Sequence, residues 1–126
     1  MTKPRTVVGW KLDRSQREEL LKRYRPRYEN ADADHVTLHA NAGDAQLPPE
    51  VDAKIVGHAD DGSSLEAMVV EIDGTSDRPD GSIFHITWSL DKSKGRQPRE
   101  SNDLLKGGGW KLFDDPVAIR VEPAKF

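Results

Sequence analysis

The stretch DADHVTLHA, residues 32–40, returns in altered form as SIFHITWSL, residues 82–90. Each holds a histidine, an apolar residue, a threonine and a second apolar residue: His35-Val36-Thr37-Leu38, then His85-Ile86-Thr87-Trp88. β-Branched and aromatic residues in such short runs read as strands. Successive strand side chains point to opposite faces. His35, Thr37 and His39 therefore share one face, and Val36 and Leu38 the other. His85 and Thr87 likewise share a face, with Trp88 packing beneath. Each motif sets an imidazole beside a hydroxyl, over a sheet whose far side is apolar. If the two strands lie together, or are related by a pseudo-twofold axis, four polar side chains converge.

The elements around the two motifs set the fold class. RTVVGWKL (5–12) reads as a strand, and SQREELLKRYR (15–25) as a helix with Leu20, Leu21 and Tyr24 near one face. Asp13 or Ser15 caps that helix, and Pro26 ends it. Residues 51–61 and 64–74 form a hairpin around Asp61-Gly62. Polar loops occupy 41–50 and 75–82. DKSKGRQPRE (91–100) is a basic loop, and SNDLLK (101–106) is one helical turn with Ser101 as its cap. The glycine run 107–109 breaks it. WKLFDDPVAIRVEP (110–123) gives one or two strands around a turn at Asp114-Asp115-Pro116. The sum is an α+β fold of six or seven mostly antiparallel strands and one or two helices. It is expected as a single domain over residues 1–126.

Composition narrows the function. With 126 residues, 35% hydrophobic and 33% charged, the chain suits one soluble domain with a modest core. No apolar run approaches the ~20 residues of a membrane span, and the N-terminus lacks a signal peptide's apolar core. Cysteine is absent, which removes disulfides, thiolate metal sites and a cysteine nucleophile. A cytoplasmic monomer with no membrane partner is the expectation. The net charge of −3 argues against wrapping a long nucleic acid. Local basic runs, KRYRPR (22–27) and KSKGRQPR (92–99), leave room for one phosphate or a strand end.

Paired histidines and threonines suit a phosphodiester. Histidine gives and takes protons near neutral pH. One neutral imidazole can deprotonate a water, and an imidazolium opposite can protonate the leaving oxygen. The threonine hydroxyls can donate to the non-bridging oxygens. No metal-binding pattern and no cofactor motif is present. A single His-x-Thr is weak evidence, and the doubling gives it weight.

The paired motifs resemble the signature of the 2H phosphoesterase superfamily. The sharper likeness is to the cyclic phosphodiesterase domain of fungal-type tRNA ligases. It is carried by ADHVTLHA (33–40) and FHITWSLDKSKGRQPRESNDLL (84–105), where the second motif leads into Gly-x-x-Pro-x-x-Ser-Asn-x-Leu-Leu. The resemblance implies two lobes with antiparallel sheets flanking a groove. It implies metal-independent hydrolysis of a 2′,3′-cyclic phosphate on an RNA 3′ end or a nucleotide, giving a 2′-phosphate. His35 and His85 would then be acid and base, and Thr37 and Thr87 would hold the phosphate. No kinase phosphate loop is present, so the implied role in RNA repair is that of a stand-alone esterase or a partner of separate repair enzymes. Two alternatives stand beside it. One is a phosphodiesterase for cyclic oligonucleotide signals or ADP-ribose cyclic phosphate. The other is a module that binds phosphate ends without turnover.

Further residues carry two readings each. Arg99, Ser101 and Asn102 are candidate substrate contacts; Ser101 and Asn102 either cap a short helix whose N-terminus faces an anion or simply make a turn. Lys92, Lys94 and Arg96 form either a solvated loop or a phosphate clamp. Trp10 is a candidate base-stacking platform against a default of core packing. His39 is expected in a structural or solvent-facing role, against a substrate contact, and His58 as an ordinary surface histidine.

Overall fold

Val8–Leu12 alternates between apolar residues and Lys11, and this strand, β1, is buried at every position except the lysine. A computed structural model describes residues 7–39, 46–107 and 110–125 of the chain. In chain order its elements are β1, α1 (Arg14–Arg23), β2 (Asn30–Ala31), β3 (His35–His39), β4 (Ala53–Asp60), β5 (Leu65–Ile72), β6 (His85–Leu90), α2 (Ser101–Lys106), β7 (Lys111–Ile119) and β8 (Val121–Lys125). Two 3-10 turns, Lys92–Lys94 and Pro98–Glu100, lie between β6 and α2. The class is α+β, and all strand pairs are antiparallel.

The strands form two sheets, ordered β3-β1-β8 and β2-β6-β5-β4-β7. The main core lies where Trp10, Leu12 and Val36 of the first sheet meet Ile55, Met68, Val70, Ile86 and Trp88 of the second, closed by Leu20 of α1. Val56, Ala59 and Val69 form a second apolar patch, covered by Leu104 and Leu105 of α2. Alternation along β5 explains the division, since Met68 and Val70 face one layer and Val69 the other.

Helix α1 starts where Asp13 accepts the Gln16 backbone N–H at 2.9 Å, so Asp13 is the cap. Its last turn carries Lys22 and Arg23, which complement the helix dipole. The β4–β5 hairpin turns at Asp61-Gly62 as expected. Gly62 has φ +82°, and Asp61 Oδ1 accepts the backbone N–H groups of Ser63, Ser64 and Leu65.

The C-terminal segment differs from expectation. Asp114-Asp115-Pro116 is not a turn between strands but lies inside β7. Val117 pairs with Ile55 while Leu112 pairs with Gly57, so residues 113–116 bulge out of the ladder. A bulge tolerates Pro116, which has no N–H to donate. It also places Phe113 on Tyr24, with the rings stacked at 5.5 Å. Ser101 is likewise the first residue of α2 rather than its cap. The read loop 41–50 lies outside the described residues at 41–45, as do Gly108 and Gly109 of the glycine run.

One irregularity, at Ala33, positions the two motif strands. Residues 30–33 run antiparallel to β6, with Ala31 opposite Ser89 and the N–H groups of Asp32 and Ala33 donating to the Trp88 and Thr87 carbonyls, both at 2.8 Å. Ala33 then takes φ +47°. This conformation costs a non-glycine residue roughly 1 kcal/mol or more. The chain turns there and leaves the second sheet for the first. Arg17 of α1 holds the corner by donating to the Ala33 carbonyl at 2.9 Å and the Asp32 carbonyl at 2.8 Å. Two residues on, His35 pairs with Lys11 of β1.

Candidate active site

Because β3 leaves β6 at Ala33, the two motif strands diverge from a shared corner. A cavity of about 310 Å³ opens between them. Its walls include His35 and Thr37 from β3, His85 and Thr87 from β6, and Pro98, Arg99 and Asn102 from the segment after β6. All four motif side chains therefore line one cavity, the arrangement expected only if the two strands come together. Val7, Asp32 and Arg78 complete it. A larger depression, about 620 Å³, lies elsewhere. Glu50, Asp52, Glu71 and Asp73 line it against two cations, Lys54 and Arg120, so its field opposes a phosphate.

The two imidazoles are held differently. His85 Nδ1 lies 2.8 Å from the Ile83 carbonyl oxygen. A carbonyl only accepts, so Nδ1 carries the proton, and Nε2 of a neutral ring presents its lone pair. Burial pushes the His85 imidazole below its ordinary value; the Ile83 hydrogen bond opposes this, and the Arg78 and His35 charges add to the lowering. His35 Nδ1 instead lies 2.9 Å from Asp34 Oδ2. Burial pushes the Asp34 carboxyl up, but hydrogen bonds from His35 and Arg14 outweigh it and hold the group below its ordinary value. An imidazolium at position 35 thus has an ionised partner. Asp32, on the cavity wall, is pushed up by burial and drawn down by His35.

The hydroxyls also differ. The Thr37 hydroxyl has no hydrogen-bond partner among the described residues, and the residue lies on the cavity wall. Thr87 is 6% exposed and donates to the Pro98 carbonyl at 3.0 Å. Its second contact, Ser101 Oγ at 2.8 Å, must then donate to it, because a threonine has one hydroxyl proton. The Thr87 proton is thus committed within the protein.

The remaining expected contacts divide. Arg99 and Asn102 reach the cavity. Ser101 does not: it is fully buried, and its hydroxyl supports Thr87 rather than a substrate. Nor does its place at the start of a six-residue helix make an anion site. Trp10 is 2% exposed, packs edge-on to Phe84 and donates its indole N–H to the Pro49 carbonyl. Core packing therefore replaces the stacking role. His39 is exposed and absent from the cavity wall.

His58 is more than a surface histidine. Its Nε2 lies 2.8 Å from Oε2 of Glu66, a carboxylate only 2% exposed. Glu66 also accepts from the Ser89 hydroxyl and the Arg27 amide. Within the basic loop, Arg96 is tied to Asp61, Glu100 and the Ser64 hydroxyl, so it braces the loop.

Two charged wall residues, Asp32 and Arg78, escape the sequence reading. Asp32 stands only three residues before His35, and its place depends on the corner at Ala33. Arg78 is a lone cation in an acidic loop, TSDRPDGS, and no motif marks it. Comparisons with protein-family models, with curated proteins and with solved structures return no match for this chain.

Proposed function

We propose that the protein is a 2′,3′-cyclic phosphodiesterase that needs no metal and acts on the cyclic phosphate end of an RNA or on a cyclic nucleotide. The observation that carries the reading is the convergence of His35, Thr37, His85 and Thr87 on one cavity. The two-lobed arrangement of the 2H phosphoesterases is part of the same proposal, supported by two antiparallel sheets with one motif strand in each.

The hydrogen bonds at the two Nδ1 atoms support one division of roles between the histidines. His85, with its Nδ1–H on the Ile83 carbonyl, takes a proton from water at Nε2. The water oxygen bonds to phosphorus as the bond to the 3′ oxygen breaks. His35, with Asp34 at Nδ1, delivers the Nε2 proton to that leaving oxygen. The product is a 2′-phosphate with a free 3′-hydroxyl. Thr37 donates to a non-bridging oxygen, and Arg99 meets the next phosphate of the strand at the rim. A cavity of about 310 Å³ stands at the small end of ligand sites. It suits one terminal sugar phosphate better than a cyclic oligonucleotide.

The test is an oligonucleotide ending in a 2′,3′-cyclic phosphate, incubated with enzyme and EDTA. Ring opening is expected for the wild type and is lost in His35→Ala and in His85→Ala. Opening that persists undiminished in both variants overturns the proposal. Tight binding without turnover turns the reading toward a phosphate-end binding module.

A further inference from the structure

We propose that Arg78 is the residue that binds the phosphate of the substrate, holding the non-bridging oxygens that the paired motifs alone would leave to Thr87. The inference rests on the cyclic-phosphate reading above. It begins from Thr87, whose proton goes to Pro98 and which therefore has none to offer an oxyanion. One motif hydroxyl, that of Thr37, remains for an anion that gains charge in the transition state. Further donors aimed at the non-bridging oxygens would hold the developing charge better.

Arg78 fits the missing role. Its side chain is 7% exposed, yet it lines the cavity with both histidines. Nε–H donates to the Leu38 carbonyl at 3.1 Å, one residue past Thr37. The Arg78 amide donates to Ser82 O, and its carbonyl accepts from Gly81 N, each at 2.9 Å, which closes the loop leading into β6. Arg78 thus ties the loop leading into β6, through its backbone, to the end of β3, through its side chain. Its ion-pair partner is Asp80 at 3.4 Å, a carboxylate whose side chain is half exposed. A desolvated guanidinium whose ion-pair partner is itself half solvated favours an additional anion. Its planar fork matches two phosphate oxygens at once. The nearby charges are those of Asp32, His35, His85, Asp80 and exposed Arg99. Arg78 also contributes to the lowering at His85, so loss of its charge moves the His85 titration upward.

The test compares wild type, Arg78→Gln, Arg78→Lys and Asp80→Asn. One arm measures kcat and KM on adenosine 2′,3′-cyclic phosphate. The other measures binding of adenosine 2′-monophosphate and inorganic phosphate by histidine NMR, which also reports the His85 titration. Arg78→Gln is expected to lose about 100-fold in kcat/KM, to bind both anions more weakly, and to titrate His85 higher. Arg78→Lys recovers part of the loss. Asp80→Asn, at an exposed position, binds phosphate up to about fivefold more tightly. That variant decides the matter if Arg78→Gln does not fold. Wild-type turnover with Arg78→Gln within threefold of it overturns the role of Arg78 and leaves the cyclic-phosphate reading intact. No wild-type turnover, with phosphate binding that still depends on Arg78, ends the enzyme reading and keeps the anion site. Equal phosphate binding by all four proteins overturns the anion site.

Discussion

Gly9 faces Thr37 across the β1–β3 ladder, and adding one methyl group there tests whether the cavity depends on that register. A Cβ on Gly9 would overlap the Val36 carbonyl oxygen outright and stand 3.0 Å from Thr37 Cα and 3.1 Å from Leu38 N. These are backbone atoms, so no side-chain rotation relieves the clash. An ordinary carbon–oxygen contact is about 3.3 Å, so β3 must retreat by roughly 1 Å. Overpacking of this kind costs about 1–3 kcal/mol. A displacement of that size at the reacting groups costs on the order of 100-fold in rate. Gly9→Ala is therefore expected to lower the urea midpoint and to reduce kcat on a cyclic phosphate far more than the unfolded fraction explains. Gly62→Ala is the control. It forces φ +82° on an alanine at about 1 kcal/mol, but a Cβ there meets nothing within 4 Å. The control should lose stability and keep its activity. If Gly9→Ala matches wild type in both assays, β3 is not held as described and the register argument fails.

Three further perturbations follow from the same geometry. The folded state depresses His85 below its ordinary value of 6.5, so the unfolded chain binds that proton more readily. Stability from this group is therefore complete above that value and is lost as pH falls through the folded one; urea titrations across this range should show a slope that His85→Asn flattens. Glu66→Ala leaves His58, the Ser89 hydroxyl and the Arg27 amide without their shared acceptor. The expected loss is about 2–4 kcal/mol, with activity per folded molecule unchanged. Arg17→Ala removes two hydrogen bonds from the Ala33 corner. It should cost about 2 kcal/mol and lower kcat, because the corner sets the angle between the motif strands.

What the sequence discloses follows from locality. Alternation at 35–39 and 85–90 places each His-Thr pair on one face, and Asp61-Gly62 contains its own turn chemistry. These elements were legible because neighbours decide them. Local patterning does not show the division into two sheets, which only the family resemblance implies, because it turns on Ala33, a residue with no intrinsic preference for positive φ. Trp10 and Ser101 were misplaced for a related reason. An aromatic or a serine near a motif serves a substrate or the core according to burial, which spacing does not reveal. Arg78 reaches the cavity through a loop whose composition reads only as polar. The DDP segment looked like a turn because a wide bulge uses the same residues.

In the proposed mechanism two histidines on divergent strands act from opposite sides of one phosphorus. Phosphorus NMR of a dinucleotide ending in a 2′,3′-cyclic phosphate, with EDTA present, reads both turnover and regiochemistry. Wild type is expected to convert the cyclic resonance to that of a 2′-phosphate, and neither His35→Ala nor His85→Ala to do so. An unchanged cyclic resonance with folded wild type, or the same product from both variants, would rule this mechanism out.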